Sequence, residues 1–406
     1  MDKHTVEGEL PVQLCNYTDA YKRDLVRPGP DLMRATATAD EVRKNRLRIG
    51  DTVFTKDSED PKDIGISAFV DGEADDFVCG YHLAIARPFE ATHPRFLNWA
   101  LRARPALDHF SAHAAGISRY GISISDLRAA PVPLVDVEQQ QRIADFLDDR
   151  VSRIDRIIAV RREQVKLVKA AQLEAVRVRT TMGRSRSTRL SGVDWMPTIG
   201  SDWQLWRIGQ AFETGSGTTP KSDRPEYYGG DFPWVTTSDL RDRPIASVPR
   251  SVTEAALQDY SALRIFAPGT LLIAMYGATV GRLGQLEIPA CVNQACCALI
   301  ERGPVSADFA FYWLLAHRRE IMGLASGGGQ PNISQEIVRS LRVPTPPRSL
   351  QDDLVQELKQ RQNETNAVLT DLSGSIDRLA EYKSSLITAA VTGELDVATA
   401  GSTIPG

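Results

Sequence analysis

Between Pro133 and Gly183 the chain contains neither glycine nor proline, and its apolar positions recur alternately four and three apart. The seam runs through Leu147, Val151, Ile154, Ile158, Val165 and Val168 to Ala175, interrupted by Arg161 and Gln172. Such heptad spacing marks a long helix with one face meant for another helix. The same seam returns at an offset of 211 as Leu358, Leu369, Leu372, Ile376, Leu379 and Leu386, with Gln362, Thr365 and Lys383 as its polar members. At a rise of ~1.5 Å per residue, each helix spans on the order of 60 Å, far beyond the usual globular helix.

The repeat extends beyond the seam. "GISISDLRAAPVPLVDVEQQQRIADFLDDR" (Gly121 to Arg150) aligns without a gap on "NISQEIVRSLRVPTPPRSLQDDLVQELKQR" (Asn332 to Arg361), matching Pro133 with Pro344 and Gln140 with Gln351. The blocks before each helix differ in texture: short β-type runs such as "GDTVFTK" and "GTLLIAMYG", bounded by glycine, proline and threonine, predict mixed α/β domains with sizeable loops. Looser matches join these blocks, "RIGDTVF" to "FAPGTLLI" and "CGYHLAIARP" to "VNQACCALIER". The pattern divides the chain into a first domain (1–137), a first long helix (138–183), a linker (184–199), a second domain (200–349), a second long helix (350–396) and a tail (397–406). "GRSRSTR" (Gly183 to Arg189), small and basic, reads as the flexible part of that linker.

Charge changes the picture in one respect. The first helix is biased towards arginine and lysine and the second towards aspartate and glutamate, which favours pairing of the two within one chain over self-pairing. The alternative, each helix packed on its own domain, remains open at this point. The whole chain, 406 residues with 48 basic and 52 acidic side chains, carries a formal net charge of -4. That argues against coating nucleic acid by bulk electrostatics and leaves only local binding. No stretch is long and apolar enough for a bilayer, and no leader is apparent, so a cytoplasmic protein is expected. The five cysteines form no CxxC and lack histidines at ligand spacing, so buried reduced thiols are expected and no metal site.

Enzyme motifs are sparse. The Pro-Pro of "TPPRS" lacks the Asn and aromatic partner that methyl transfer to an exocyclic amine requires, and no GxxxxGK is present. Asp31, Asp60 and Lys62 have only the elastic spacing of a nuclease, and His109 and His113, four apart, have no third ligand.

The unit "WQLWRIGQAFETGSGTTP…YYGGDFPWVTTSDL" (Trp203 to Leu240), "GGGQPNIS" (Gly327 to Ser334), the "VPTPP" turn and the terminal "SSLITAAVTGELD" resemble the DNA-specificity subunit of type I restriction-modification systems. The resemblance covers nearly the whole chain, most clearly its second half. It implies an α/β (α+β) fold: two mixed α/β target-recognition domains separated by two long antiparallel helices that form an intramolecular coiled coil. It also implies a non-catalytic subunit without a cofactor. Each domain would read one half of a bipartite, interrupted site in double-stranded DNA, and the subunit would bind two modification (methyltransferase) subunits and, through them, restriction subunits. Two other readings remain: a coiled-coil scaffold that binds proteins, and a truncated half-reader that acts as a dimer.

Polar, loop-borne residues are the candidates for DNA contact. In the second domain they are Thr218, Thr219, Lys221, Thr236, Thr237, Ser238, Tyr276, Arg282, Asn293, Gln294, Gln330 and Asn332. In the first they are Asn16, Tyr17, Thr18, Lys56, Tyr81, His82, Arg119 and Tyr120. Each also fits a turn-forming or capping role. Trp203, Trp206, Trp234 and Trp313 read as core. Two departures from the family pattern are visible. Pro11 matches Pro233, yet Trp203 lies thirty residues before Pro233 and only ten residues precede Pro11, so the first copy is expected to be short at its N-terminus. "GISRYGIS" (Gly116 to Ser123) also replaces the glycine run of "GGGQPNIS".

Overall fold

A computed structural model describes residues 5–324 and 332–400. The chain forms two compact units, one from residues 1–163 and 372–406, the other from 164–371. Both long helices are present, Val137–Thr181 and Arg348–Thr392, each of 45 residues. Glycines with positive φ, Gly183 at 57° and Gly393 at 78°, follow their last turns, the left-handed conformation that stops a helix. Each unit therefore contains a segment of both helices.

Within each unit the two helix segments pair. In the first, Leu147, Val151, Ile154 and Ile158 are buried in one cluster with Leu379, Leu386 and Ile387, and the Lys383 ammonium donates to Asp155 at 2.7 Å. In the second, Leu358 and Val176 are buried, Thr365 donates to Gln172 at 2.9 Å, and Arg179 donates to Glu357 at 2.7 Å. Moving towards the C-terminus of the first helix, the partners move towards the N-terminus of the second, so the segments run antiparallel. Val165, Val168, Leu369, Leu372 and Ile376 are half-buried. Gln172 with Thr365 shows polar seam members answering each other, a device that favours one register. The charge bias is obeyed by Arg179 with Glu357 but reversed by Asp155 with Lys383.

The two units repeat one topology. In the first, Leu10–Cys15 pairs antiparallel with Met33–Ala37 and parallel with Phe77–Cys79. In the second, Tyr228–Val235 pairs antiparallel with Ser251–Val252 and parallel with Cys291–Val292. A second sheet in the first unit has the order Leu25–Val26, Ser67–Val70, Thr52–Thr55, Leu83–Ala86. Its counterpart runs Arg243–Ile245, Leu283–Leu286, Leu271–Ala274, Cys296–Glu301 and then adds a fifth strand, Phe212–Gly215. The ladder directions agree at every shared position: parallel, antiparallel, antiparallel.

A helix follows each sheet, Pro94–Leu101 and Ala307–Ala316, burying Phe96 with Trp99 and Phe309 with Trp313. One buried glutamine fastens each of these helices to a long helix. Gln140 accepts from the His93 N–H at 2.7 Å and donates to the Val135 carbonyl at 2.8 Å. Gln351, the aligned residue, accepts from the Ser306 N–H at 2.8 Å and donates to the Pro304 and Pro346 carbonyls. Main-chain groups left orphaned just ahead of a buried helix are thereby satisfied.

The segment expected as a plain linker carries a short hairpin, Thr188–Leu190 with Thr198–Gly200. Trp203, Trp234 and Trp313 are buried and Trp206 is half-buried. The five cysteines are buried free thiols, and burial pushes the Cys79 and Cys297 thiols up to about 12. Among the described residues no helix is long and apolar enough to cross a membrane.

His317 lies under Trp195 and Trp313 at 1% exposure, and its Nδ1–H donates to the Trp313 carbonyl at 2.9 Å. Burial pushes the imidazole pKa from 6.5 to about 4, with Arg177 acting in the same direction and Glu320 against it. Because the folded value lies below the unfolded one, the unfolded chain takes the proton first. The stability tied to neutral His317 is complete above pH 6.5 and is lost as pH falls from there towards 4, by up to about 3 kcal/mol. Urea denaturation of the chain and of His317→Phe at pH 7 and pH 5 checks this: the midpoint of the parent falls more than that of the variant.

Candidate nucleic-acid interface

Candidate residues of both units follow the ends of the parallel strands. In the second unit the ladder Val235 to Val292 continues one step, the Asn293 N–H donating to the Val235 carbonyl at 3.0 Å. In the first unit the ladder Cys15 to Cys79 continues alike, through the Gly80 N–H to the Cys15 carbonyl at 2.8 Å. Asn16 to Thr18 and Tyr81 with His82 therefore leave one pair of strand ends, and Thr236 to Ser238 and Asn293 with Gln294 leave the other. A Cβ on Gly217 would lie 1.7 Å from the Val292 carbonyl oxygen. Only glycine allows the Thr218–Thr219 loop to pass that close to the strand end.

In the second unit, Thr219 Oγ1 donates to Gln294 Oε1 at 2.6 Å, and Trp234 Nε1 donates to the Thr218 carbonyl at 3.3 Å. The Lys221 N–H donates to the Tyr260 hydroxyl at 3.1 Å. Thr236 is buried and committed to its own turn: its N–H donates to Asp239 at 2.8 Å, and its hydroxyl accepts from Arg250 at 2.9 Å. Arg250 also donates to the exposed Ser238 at 3.0 Å, and Thr237 is half-buried. Tyr276 is bridged antiparallel to Asn332, and both are exposed, as are Gln294 and Arg282. Gln330 lies outside the described residues.

The first unit assembles its patch around a residue that the sequence did not single out. Asp57 accepts from His82 Nδ1 at 2.8 Å and from Arg119 Nη2 at 2.6 Å. Its hydrogen bond and charge hold the Arg119 guanidinium pKa above its ordinary value. Lys56 Nζ lies 4.8 Å from the centre of the Tyr81 ring, a ring that is 64% exposed. Ser58 pairs with Tyr120 across a two-residue ladder and lies 3.2 Å from the Tyr17 hydroxyl. Asn16 starts the helix Tyr17–Lys22, its N–H donating to Asp19 at 2.9 Å, while Thr18 is exposed on that helix. Asp57 opposite Gly121 in the first unit matches Tyr276 opposite Asn332 in the second. The missed partners, Asp57, Ser58, Arg250 and Tyr260, sit on or beside elements too short to leave a periodic signal.

Both patches combine exposed or half-buried amide, hydroxyl and aromatic groups with nearby Lys or Arg. Hydrogen-bond donors and acceptors of this kind meet base edges, and cations meet phosphates. Among the described residues no cluster of histidine, cysteine and carboxylate side chains could hold a metal ion.

Residues 200–377 match the family described as the Type I restriction modification DNA specificity domain. Over 181 residues the chain is 29% identical to the Type I restriction enzyme MjaIX specificity subunit of Methanocaldococcus jannaschii, a match spanning 41% of each chain. A second match, 23% identical over 327 residues, covers 79% of this chain and 73% of the Putative type I restriction enzyme MjaX specificity subunit of the same organism. The Type I restriction enzyme EcoR124I/EcoR124II specificity subunit of Escherichia coli is 22% identical over 190 residues, 45% of this chain and 46% of that one. In fold, the chain is similar to one solved in a type I R-M system, with a TM-score of 0.68, 20% identity and coverage of 86% and 83%. It is also similar to the HsdS subunit from Thermoanaerobacter tengcongensis, with a TM-score of 0.51, 18% identity and coverage of 95% and 92%. Residues 200–377 thus match the type I restriction modification DNA specificity domain, and over most of its length the chain is similar to a specificity subunit of a type I restriction enzyme.

Proposed function

We propose that this chain is the non-catalytic subunit that reads a bipartite, interrupted site in double-stranded DNA, one half-site per unit. It carries two modification (methyltransferase) subunits and, through them, restriction subunits. The observation that supports the reading most is the repetition itself: one topology built twice, with a polar patch at the same strand ends in both units. The side chains on the two patches differ, Tyr81 and His82 standing where Gln294 and Ala295 stand. Equal scaffolds with unlike contact groups suit two half-sites of unlike sequence.

The paired helices set the gap between the half-sites. A base pair advances the duplex by ~3.4 Å and a residue advances a helix by ~1.5 Å, so helix length translates into a number of unread base pairs.

Selection of duplexes from a random pool by the chain with its modification subunits tests the reading. The recovered sequences contain two constant blocks separated by a fixed number of unconstrained pairs; a single block, or no enrichment, contradicts it. On the selected duplex, Arg282→Ala weakens binding evenly across sequences and lowers the slope of log affinity against log salt by about 1. Gln294→Ala instead relaxes the preference in one half-site only, by about 1–3 kcal/mol at the affected pair.

A further inference from the structure

In the second unit the outer edge of the strand Cys296–Glu301 is covered. Phe212–Gly215 pairs along it, from Phe212 opposite Glu301 to Gly215 opposite Ala298. The helical turn Ile208–Ala211 just before it lies on the helix Gln335–Ser340, and the stretch before that, Gln204–Arg207, pairs with Arg342–Thr345. Ile208, Ala211 and Phe212 share a buried cluster with Val338, Leu341 and Val343.

Among its described residues the first unit has each receiving element and nothing received on it. Its strand Leu83–Ala86 pairs with Thr52–Thr55 on one side and with no strand on the other among the described residues. Its helix Ile124–Arg128 and its Val132 align with Gln335–Arg339 and Val343. Between them lies a groove of about 560 Å³ whose lining includes Phe54, Ile85, Leu97, Leu127 and Val132. Val132 is 38% exposed where its counterpart Val343 is 0% exposed, and Phe89 and Ile124 at the groove are 85% and 68% exposed. An open strand edge beside exposed apolar side chains is a surface that proteins normally keep covered.

We propose that this edge and groove are a docking site for a polypeptide segment of the kind that residues 204–215 form in the second unit. The segment is an otherwise unfolded stretch that adds a strand to Leu83–Ala86. Just before that strand, it places one helical turn, with apolar residues like Ile208, Ala211 and Phe212, against Leu127 and Val132. Strand addition supplies main-chain hydrogen bonds, and the groove selects the side chains. The residues 204–215 of a second copy do not serve, because Ile208, Ala211 and Phe212 are 0%, 0% and 3% exposed within their own unit. The proposal is independent of DNA reading.

The test uses the full chain and a synthetic peptide of residues 202–217, DWQLWRIGQAFETGSG, with its scrambled sequence as control. Calorimetry is expected to show one peptide per chain, and amide hydrogen exchange at residues 83–87 to slow by about tenfold or more, a 1.4 kcal/mol effect. The scrambled peptide leaves exchange unchanged. Ala86→Trp, which fills the groove, and Val132→Asp, which makes its wall polar, each weaken binding by about tenfold or more with the melting temperature retained. A chain with the same residues fused ahead of its first residue through a Gly/Ser linker melts higher than one with the scrambled fusion. Absence of protection at about 1 mM peptide, equal protection by the scrambled peptide, binding indifferent to both variants, or no gain from the fusion overturns the proposal. Protection that appears without peptide and grows with chain concentration also overturns it, since a second copy would then be the occupant.

Discussion

The pairing of two helices is the constraint on which the rest of the structure depends. A 45-residue helix with an apolar stripe cannot hide that stripe by itself in water, and in each unit the partner that hides it is a segment of the other long helix. The seam is not uniformly apolar. Gln172 answers Thr365, and Lys383 answers Asp155. Part-buried polar contacts of this kind add little net stability, but they penalise a shifted register, because a slip would set each against an apolar residue. Register is what the proposed spacing of two half-sites requires.

Duplication and divergence are divided between different parts of each unit. What is repeated is scaffold: the parallel ladders, the strand order, and the buried Gln140 and Gln351 that satisfy main-chain groups at both helix starts. What differs is the surface at the strand ends, where Asp57 organises His82 and Arg119 in one unit and Gln294 with Thr219 stands in the other. A further difference is the edge of the strand Leu83–Ala86, without a pairing strand among the described residues of the first unit, whereas its counterpart in the second is covered. A scaffold of main-chain ladders tolerates such surface change, because its hydrogen bonds do not depend on the side chains that point outwards.

Sequence legibility followed the length of the signal. The heptads and the ungapped offset of 211 placed both long helices to within a few residues, because dozens of positions obey one period. The repeated topology was legible only loosely, since strands of two to eight residues offer few positions each. Asp57 was missed because it acts through a two-residue strand facing another two-residue strand from far along the chain, Asp57–Ser58 with Tyr120–Gly121. Thr236 offers a hydroxyl in the sequence, yet that hydroxyl is spent on Arg250 and a local turn. The groove beside Leu83–Ala86 needed the sheet order, which spacing along the chain does not reveal.

The most direct test of the central claim is to shorten both helices by one heptad, removing residues 159–165 and 372–378, and to sequence the methylated sites in cells carrying the complex. The account predicts unchanged half-sites separated by a gap shorter by about three base pairs, the equivalent of ~10 Å of helix. An unchanged gap, or new half-site sequences at the old spacing, would contradict it.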